Sequence, residues 1–146
     1  TPQAAKLAWR ESEGKFASLL KSEVELMVFD ATNTTISHRR KYLERAVGAG
    51  FQTVAAFCNT PEKHCLERNE TRDRNRQVPW HVIQRMRLKL EPPTVGEFDL
   101  VAKIDAAGGI YSFLAAEGCQ CVEEILRRFE FLWAGGDFKS LSVAKQ

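Results

Sequence analysis

No apolar run in this chain approaches the roughly 20 residues that a membrane-spanning helix needs. The N-terminus also lacks the basic-then-apolar pattern of a signal peptide. Histidine is scarce, with only His38, His64 and His81. Each falls on a predicted helix without a matched Cys or His partner, which argues against a zinc centre. The four cysteines, Cys58, Cys65, Cys119 and Cys121, fit neither zinc-ligand spacing nor a disulfide framework. A reducing, cytoplasmic compartment is therefore expected, with Cys119 and Cys121 read as two thiols near a helix start. A Gly-rich phosphate cradle of the form G-x-x-x-x-G-K-[ST] is missing as well. The only Gly-Lys pair, Gly14-Lys15, is followed by Phe16, and Trp9 stands where the first glycine belongs.

What is present is ordinary globular composition, 44% apolar and 27% charged over 146 residues. That is enough for one domain with one core and too little for two of usual size. The net charge of +2 does not advertise a polyanion partner, but its distribution is uneven. Between Arg68 and Lys89 stand Arg68, Arg72, Arg74, Arg76, Arg85, Arg87 and Lys89, against Glu70 and Asp73 alone.

Apolar spacing predicts a helix over 3–21, then a strand over Val24–Phe29 that delivers Asp30 to its carboxyl end. Ser37 is placed to cap a helix running to about Val47, with Leu43, Ala46 and Val47 inward and Gly48 and Gly50 ending it. A second strand is expected over Gln52–Cys58. Asn59 or Thr60 would cap a third helix, with Pro61 at its first position. Pro79 opens a fourth, striped by Val82, Ile83, Met86 and Leu90, and Pro92-Pro93 stops it. Asp99–Ile104 reads as a third strand and 119–134 as a final helix, while 106–116 has no clear type. This rhythm predicts an α/β, three-layer domain with a parallel sheet. Ligands then bind beyond the strands' carboxyl ends, at 30–35 and 59–60.

Two constellations could carry chemistry there. Asp30-Ala31-Thr32-Asn33-Thr34-Thr35 offers a carboxylate and hydrogen-bonding side chains, suited to a magnesium-bound water, an attacking hydroxyl or a phosphate. The plainer reading is a turn that caps the next helix. Arg68 and Arg72 are four apart, so on one helix face they would clamp phosphates. The plainer reading there is a solvated basic face paired with Glu67, Glu70 and Asp73. Trp80, beside this basic stretch, either stacks on a base or packs the helix.

Val28-Phe29-Asp30-Ala31-Thr32-Asn33-Thr34-Thr35 resembles the motif after a core strand in P-loop kinases of the polynucleotide-kinase-like group, and that of 6-phosphofructo-2-kinase. Arg68-Asn69-x-x-Arg72 followed by Val78-Pro79 resembles the lid of the former group. The resemblance covers about 24–104, with the lid at about 68–79. It implies a kinase using ATP and Mg2+, acting on a hydroxyl of a nucleic-acid end, a nucleoside or a similar acceptor. Asp30 would serve catalysis and the metal through a bound water, and Arg68 and Arg72 would serve catalysis and ATP. Thr32 would contact ATP, and Thr34, Asn33 and Arg39 the acceptor. Because the chain has Ile36-Ser37-His38-Arg39-Arg40 where sugar-phosphate kinases carry Arg-Glu-Arg-Arg, Arg39 is only the nearest candidate for their phosphate-binding arginine. The alternatives are a sugar-phosphate kinase or a non-catalytic binding module. With the cradle and its strand missing, 1–146 is expected to be a single partial domain, a piece of a longer kinase and inactive alone, rather than a degenerate homologue.

Overall fold

The computed structural model describes residues 2–24, 26–105, 109–119, 122–125 and 127. Helix α1 spans Pro2–Leu19 and α2 spans Ile36–Gly48; β1 is Val54–Cys58, α3 Glu62–Glu70 and α4 Trp80–Leu88; β2 is Leu100–Ile104 and β3 Ile110–Ala115. A short 3₁₀ turn, Arg74–Arg76, lies between α3 and α4. No helix among the described residues is long and apolar enough to cross a membrane.

The core is built on β2. Leu100 and Ala102 are fully buried and Ile104 is 1% exposed, because β2 is the central strand of the order β1-β2-β3. β1 pairs with it in parallel, Val54 opposite Leu100 through Cys58 opposite Ile104. A parallel neighbour requires a crossover, and α3, the 3₁₀ turn and α4 provide it. Ala55, Val101 and Phe98 form a buried cluster against which Leu43 of α2 and Phe57 pack. At the amino ends of β1 and β2, Thr53 donates through its amide and hydroxyl to Asp99 Oδ2, at 2.7 and 2.9 Å. The amide of Asp99 donates back to Thr53 Oγ1 at 3.2 Å. This reciprocal clasp satisfies a buried threonine and fixes the parallel register where the pair begins.

Several expectations need correction. The sheet is mixed, not wholly parallel, because β3 runs antiparallel to β2 with a register irregularity at Lys103/Ile104. β3 falls in the stretch that sequence pattern left untyped, since Tyr111, Phe113 and Leu114 are all exposed and no face alternates. The run Leu26–Phe29 is not a strand. Phe29 packs on the helices instead, 4.2 Å from Tyr42 and 5.8 Å from Phe16, ring centre to ring centre, while Val28 is 58% exposed. Val47 also faces solvent rather than the core. Of the final helix, residues 122–125 are helical and most of the rest lies outside the described residues, as do Gln120 and Cys121.

α2 is capped by Thr35, not Ser37. The Thr35 hydroxyl accepts from the His38 amide at 3.4 Å. It ends where Gly50 takes φ +84°, with Phe51 N donating to Ala46 O and Gly50 N to Val47 O. That pair of bonds is a Schellman cap, which favours glycine at the left-handed position. α1 docks on α2 through Phe16, which packs edge-on against Tyr42 at 5.2 Å. The exposed pair Glu13–Lys41 holds the Glu13 carboxyl below its usual range.

Candidate functional site

One residue of each constellation, Asp30 and Arg68, acts electrostatically on the carboxyl end of β1. Cys58 closes this strand, at the edge where ligands of parallel sheets bind. Although the residue is exposed, protein around its sulfur raises the thiol above its ordinary value by desolvation; the Asp30 carboxylate raises it further. The Arg68 guanidinium acts in the opposite direction. Asp30 and Arg68 are thus both within electrostatic reach of one sulfur, though 38 positions apart in sequence. Cys58 was not among the sequence candidates. Its one signal was its position as last residue of a predicted strand.

The loop from Asp30 to Thr35 is held from behind. Asn33 takes φ +39°, a left-handed conformation that asparagine tolerates better than most residues. Its carbonyl accepts from Arg39 NH1 at 3.0 Å. The Thr34 carbonyl accepts from the Glu91 amide at 2.8 Å. Asp30 and Thr32 are exposed and Thr34 is half-buried.

Arg39 differs from its sequence reading. It is 6% exposed, and its guanidinium makes a two-pronged bond to Glu97, Nε–Oε1 at 3.1 Å and NH2–Oε2 at 2.7 Å. NH1 is spent on the carbonyls of Asn33 and Glu91. With its donors committed inside the protein, Arg39 supports the loop and does not face a ligand. Its ion-pair partner lies 58 positions away, which no local motif could reveal.

The basic stretch is a clasped hairpin. Asn69 donates to the Val78 carbonyl and accepts from the Val78 amide, both at 2.8 Å. Gln77 Nε2 donates to the carbonyls of Glu70 and Arg72. α3 therefore ends at Glu70, so Arg68 lies on the helix and Arg72 in the turn beyond it. The expectation that helical spacing puts both on one face does not hold, because Asn69 turns the chain toward Val78. Arg72 is exposed and has no ion-pair partner among the described residues. At the other end of the hairpin, Arg87 NH1 donates to Asn59 Oδ1 at 3.0 Å, tying α4 to the residue after β1.

Among the described residues no group of three or more His, Cys, Asp or Glu is placed to hold a metal ion. A magnesium–nucleotide needs less, since one carboxylate, waters and the phosphates complete its shell. Asp30 fits that role in kind.

A parallel strand pair joined by a two-helix crossover, with a carboxylate and arginines near its carboxyl edge, describes a small α/β domain of the P-loop NTPase-like class. The comparison with protein families agrees: residues 1–93 match the family described as AAA domain. The match spans more than half of the chain, and the chain belongs to that family. No curated protein and no solved structure matches it.

Proposed function

We propose that this domain is the acceptor-loop and lid portion of an ATP-dependent phosphotransferase. Its acceptor is a hydroxyl on a nucleic-acid end, a nucleoside or a similar molecule. What supports this reading is that Asp30 and Arg68 are both within electrostatic reach of Cys58, the last residue of β1. Phosphoryl transfer needs little covalent help from a protein. It needs the acceptor hydroxyl held in line and the charge on the transferring group neutralised. Asp30 would take the proton of the attacking hydroxyl or hold a water on magnesium. Arg68 and Arg72 would face the phosphates, with Thr32 orienting ATP, and Thr34 and Asn33 the acceptor. The backbone cradle is not encoded in these 146 residues, so it would be supplied from outside them. Residues 1–146 alone should then bind magnesium-ATP weakly, and a micromolar affinity by isothermal titration would contradict this. A sugar-phosphate kinase is less well supported, because Arg39 is committed to Glu97 and to backbone carbonyls.

The test is transfer of labelled phosphate from ATP to a panel of acceptors, by a chain extended to include a cradle. In it, Asp30→Asn should lower turnover on the order of a hundredfold while leaving the melting temperature unchanged. Wild-type turnover with an intact melt would remove Asp30 from the reaction. No transfer to any acceptor would favour a binding module.

A further inference from the structure

Glu91 looks, in sequence, like no more than the residue before a helix-stopping Pro92-Pro93. In the structure it joins three parts of the molecule. Its amide donates to the Thr34 carbonyl at 2.8 Å. Its carbonyl accepts from Arg39 NH1 at 2.9 Å. Its carboxylate Oε2 accepts from the Ile36 amide at 2.7 Å. Ile36 is the first residue of α2, and its N–H is one of the donors that a helix cannot satisfy internally. A carboxylate there also meets the positive end of the helix dipole. The two prolines that follow make the connection stiff. A residue before proline is held out of the helical region, and prolines bring no amide of their own to compete for the Thr34 carbonyl.

On its other side, Glu91 continues directly from α4. The Lys89 and Leu90 amides still close the last turn of this helix, on the carbonyls of Arg85 and Arg87. Val78, two residues before α4, is in turn tied to α3 by its reciprocal clasp with Asn69. There is thus an unbroken bonded route from the basic hairpin, through α4 and Glu91, to the Asp30–Thr35 loop and the start of α2.

We infer that Glu91 is a positioning residue, through which the arginine-bearing hairpin and the Asp30–Thr35 loop are held and moved as one unit. The functional meaning of this coupling rests on reading those two elements as halves of one phosphotransfer site. Contact made by the hairpin arginines with a nucleotide would then be transmitted to the loop that presents the acceptor. Conversely, an ordered loop would favour the closed hairpin.

The coupling is testable without any ligand, so its failure is distinct from failure of the kinase reading. Amide hydrogen exchange is followed at Ile36 in the 146-residue chain. Val101 and Ala102 in the central strand serve as the internal standard for global opening. Glu91→Ala should speed exchange at Ile36 by about tenfold relative to those standards, the scale of one lost hydrogen bond. Glu91→Gln, which keeps an acceptor oxygen, should restore most of the protection. Breaking the far end of the route with Asn69→Ala should also speed exchange at Ile36 in the wild-type background, and should add nothing in the Glu91→Ala background. Two additive effects, or an Ile36 amide indifferent to Asn69→Ala, would overturn the proposal. If the cycle behaves as stated while no phosphoryl transfer is found, Glu91 still couples hairpin and loop, and only the chemistry assigned to them fails.

Discussion

The sheet with α2 and the hairpin formed by α3 and α4 are built on opposite plans. In the first, β2 is buried almost along its length, and α2 contributes a buried arginine and a buried tyrosine. In the second, neither α3 nor α4 has a single buried residue, and Leu88 stands 87% exposed. The hairpin keeps its shape with side-chain-to-backbone hydrogen bonds, those of Asn69 and Gln77, in place of a core. Apolar burial fixes a position through many contacts at once, whereas the hairpin rests on a few hydrogen bonds, those of Asn69 part-buried and those of Gln77 exposed. The hairpin is thus the less buried of the two regions, and segments with few buried contacts are the ones that open first.

The contrast can be broken by mutation. The largest loss is expected from Arg39→Ala, which strands the Glu97 carboxylate in a largely buried place and should cost about 3–5 kcal/mol in denaturant unfolding. The exposed pair Glu13–Lys41 offers the control, and Lys41→Ala should barely move the same transition. Next is Leu100→Ala at the fully buried head of β2, expected to cost about 2–5 kcal/mol. A smaller loss, about 1–3 kcal/mol, should follow Asn69→Ala, because it leaves both polar groups of Val78 without their partner. Smallest is Leu88→Ala on the hairpin, within about 0.5 kcal/mol. Should Leu88→Ala prove as damaging as Leu100→Ala, the hairpin is covered by a packed partner and the distinction between buried sheet and exposed hairpin is wrong.

The same division explains what sequence pattern could reveal. β2 was legible as a mainly apolar run and α2 as helical spacing closed by glycine, although the residues buried on α2 are Arg39 and Tyr42 and not the expected Val47. Leu26–Phe29 misled because Phe29, which packs on Phe16 and Tyr42, looks like a residue that packs in a sheet. β3 was silent since it has no buried face to impose alternation: Ile110 is half-buried and the other five residues are exposed. In the site, Asp30 and Arg68 stood out by residue type and spacing. Arg39 also stood out, and the sequence could not show its pairing with Glu97, since a guanidinium looks the same whether it faces a ligand or a buried glutamate. Asn69 stood in the Arg68-Asn69-x-x-Arg72 motif, but its two bonds to Val78 did not show there, and Glu91 acts through bonds to distant backbone atoms that impose no periodicity.

If Asp30 and Arg68 share a site at the end of β1, Cys58 reports on both. With its pKa raised in the folded state, this thiol favours folding below its ordinary pKa. That contribution is lost as pH rises through the raised value. The direct measurement is the pH dependence of alkylation at Cys58, read by peptide mass mapping on the folded 146-residue chain. In the wild type, the reaction should take hold at higher pH than for a free thiol. Asp30→Asn removes a charge that opposes the thiolate and should bring the midpoint down. Arg68→Ala removes one that favours it and should push the midpoint up. Opposite displacements in the two variants, with both proteins still folded, are the expected result. A Cys58 profile that neither substitution moves would mean that the two residues do not share a site.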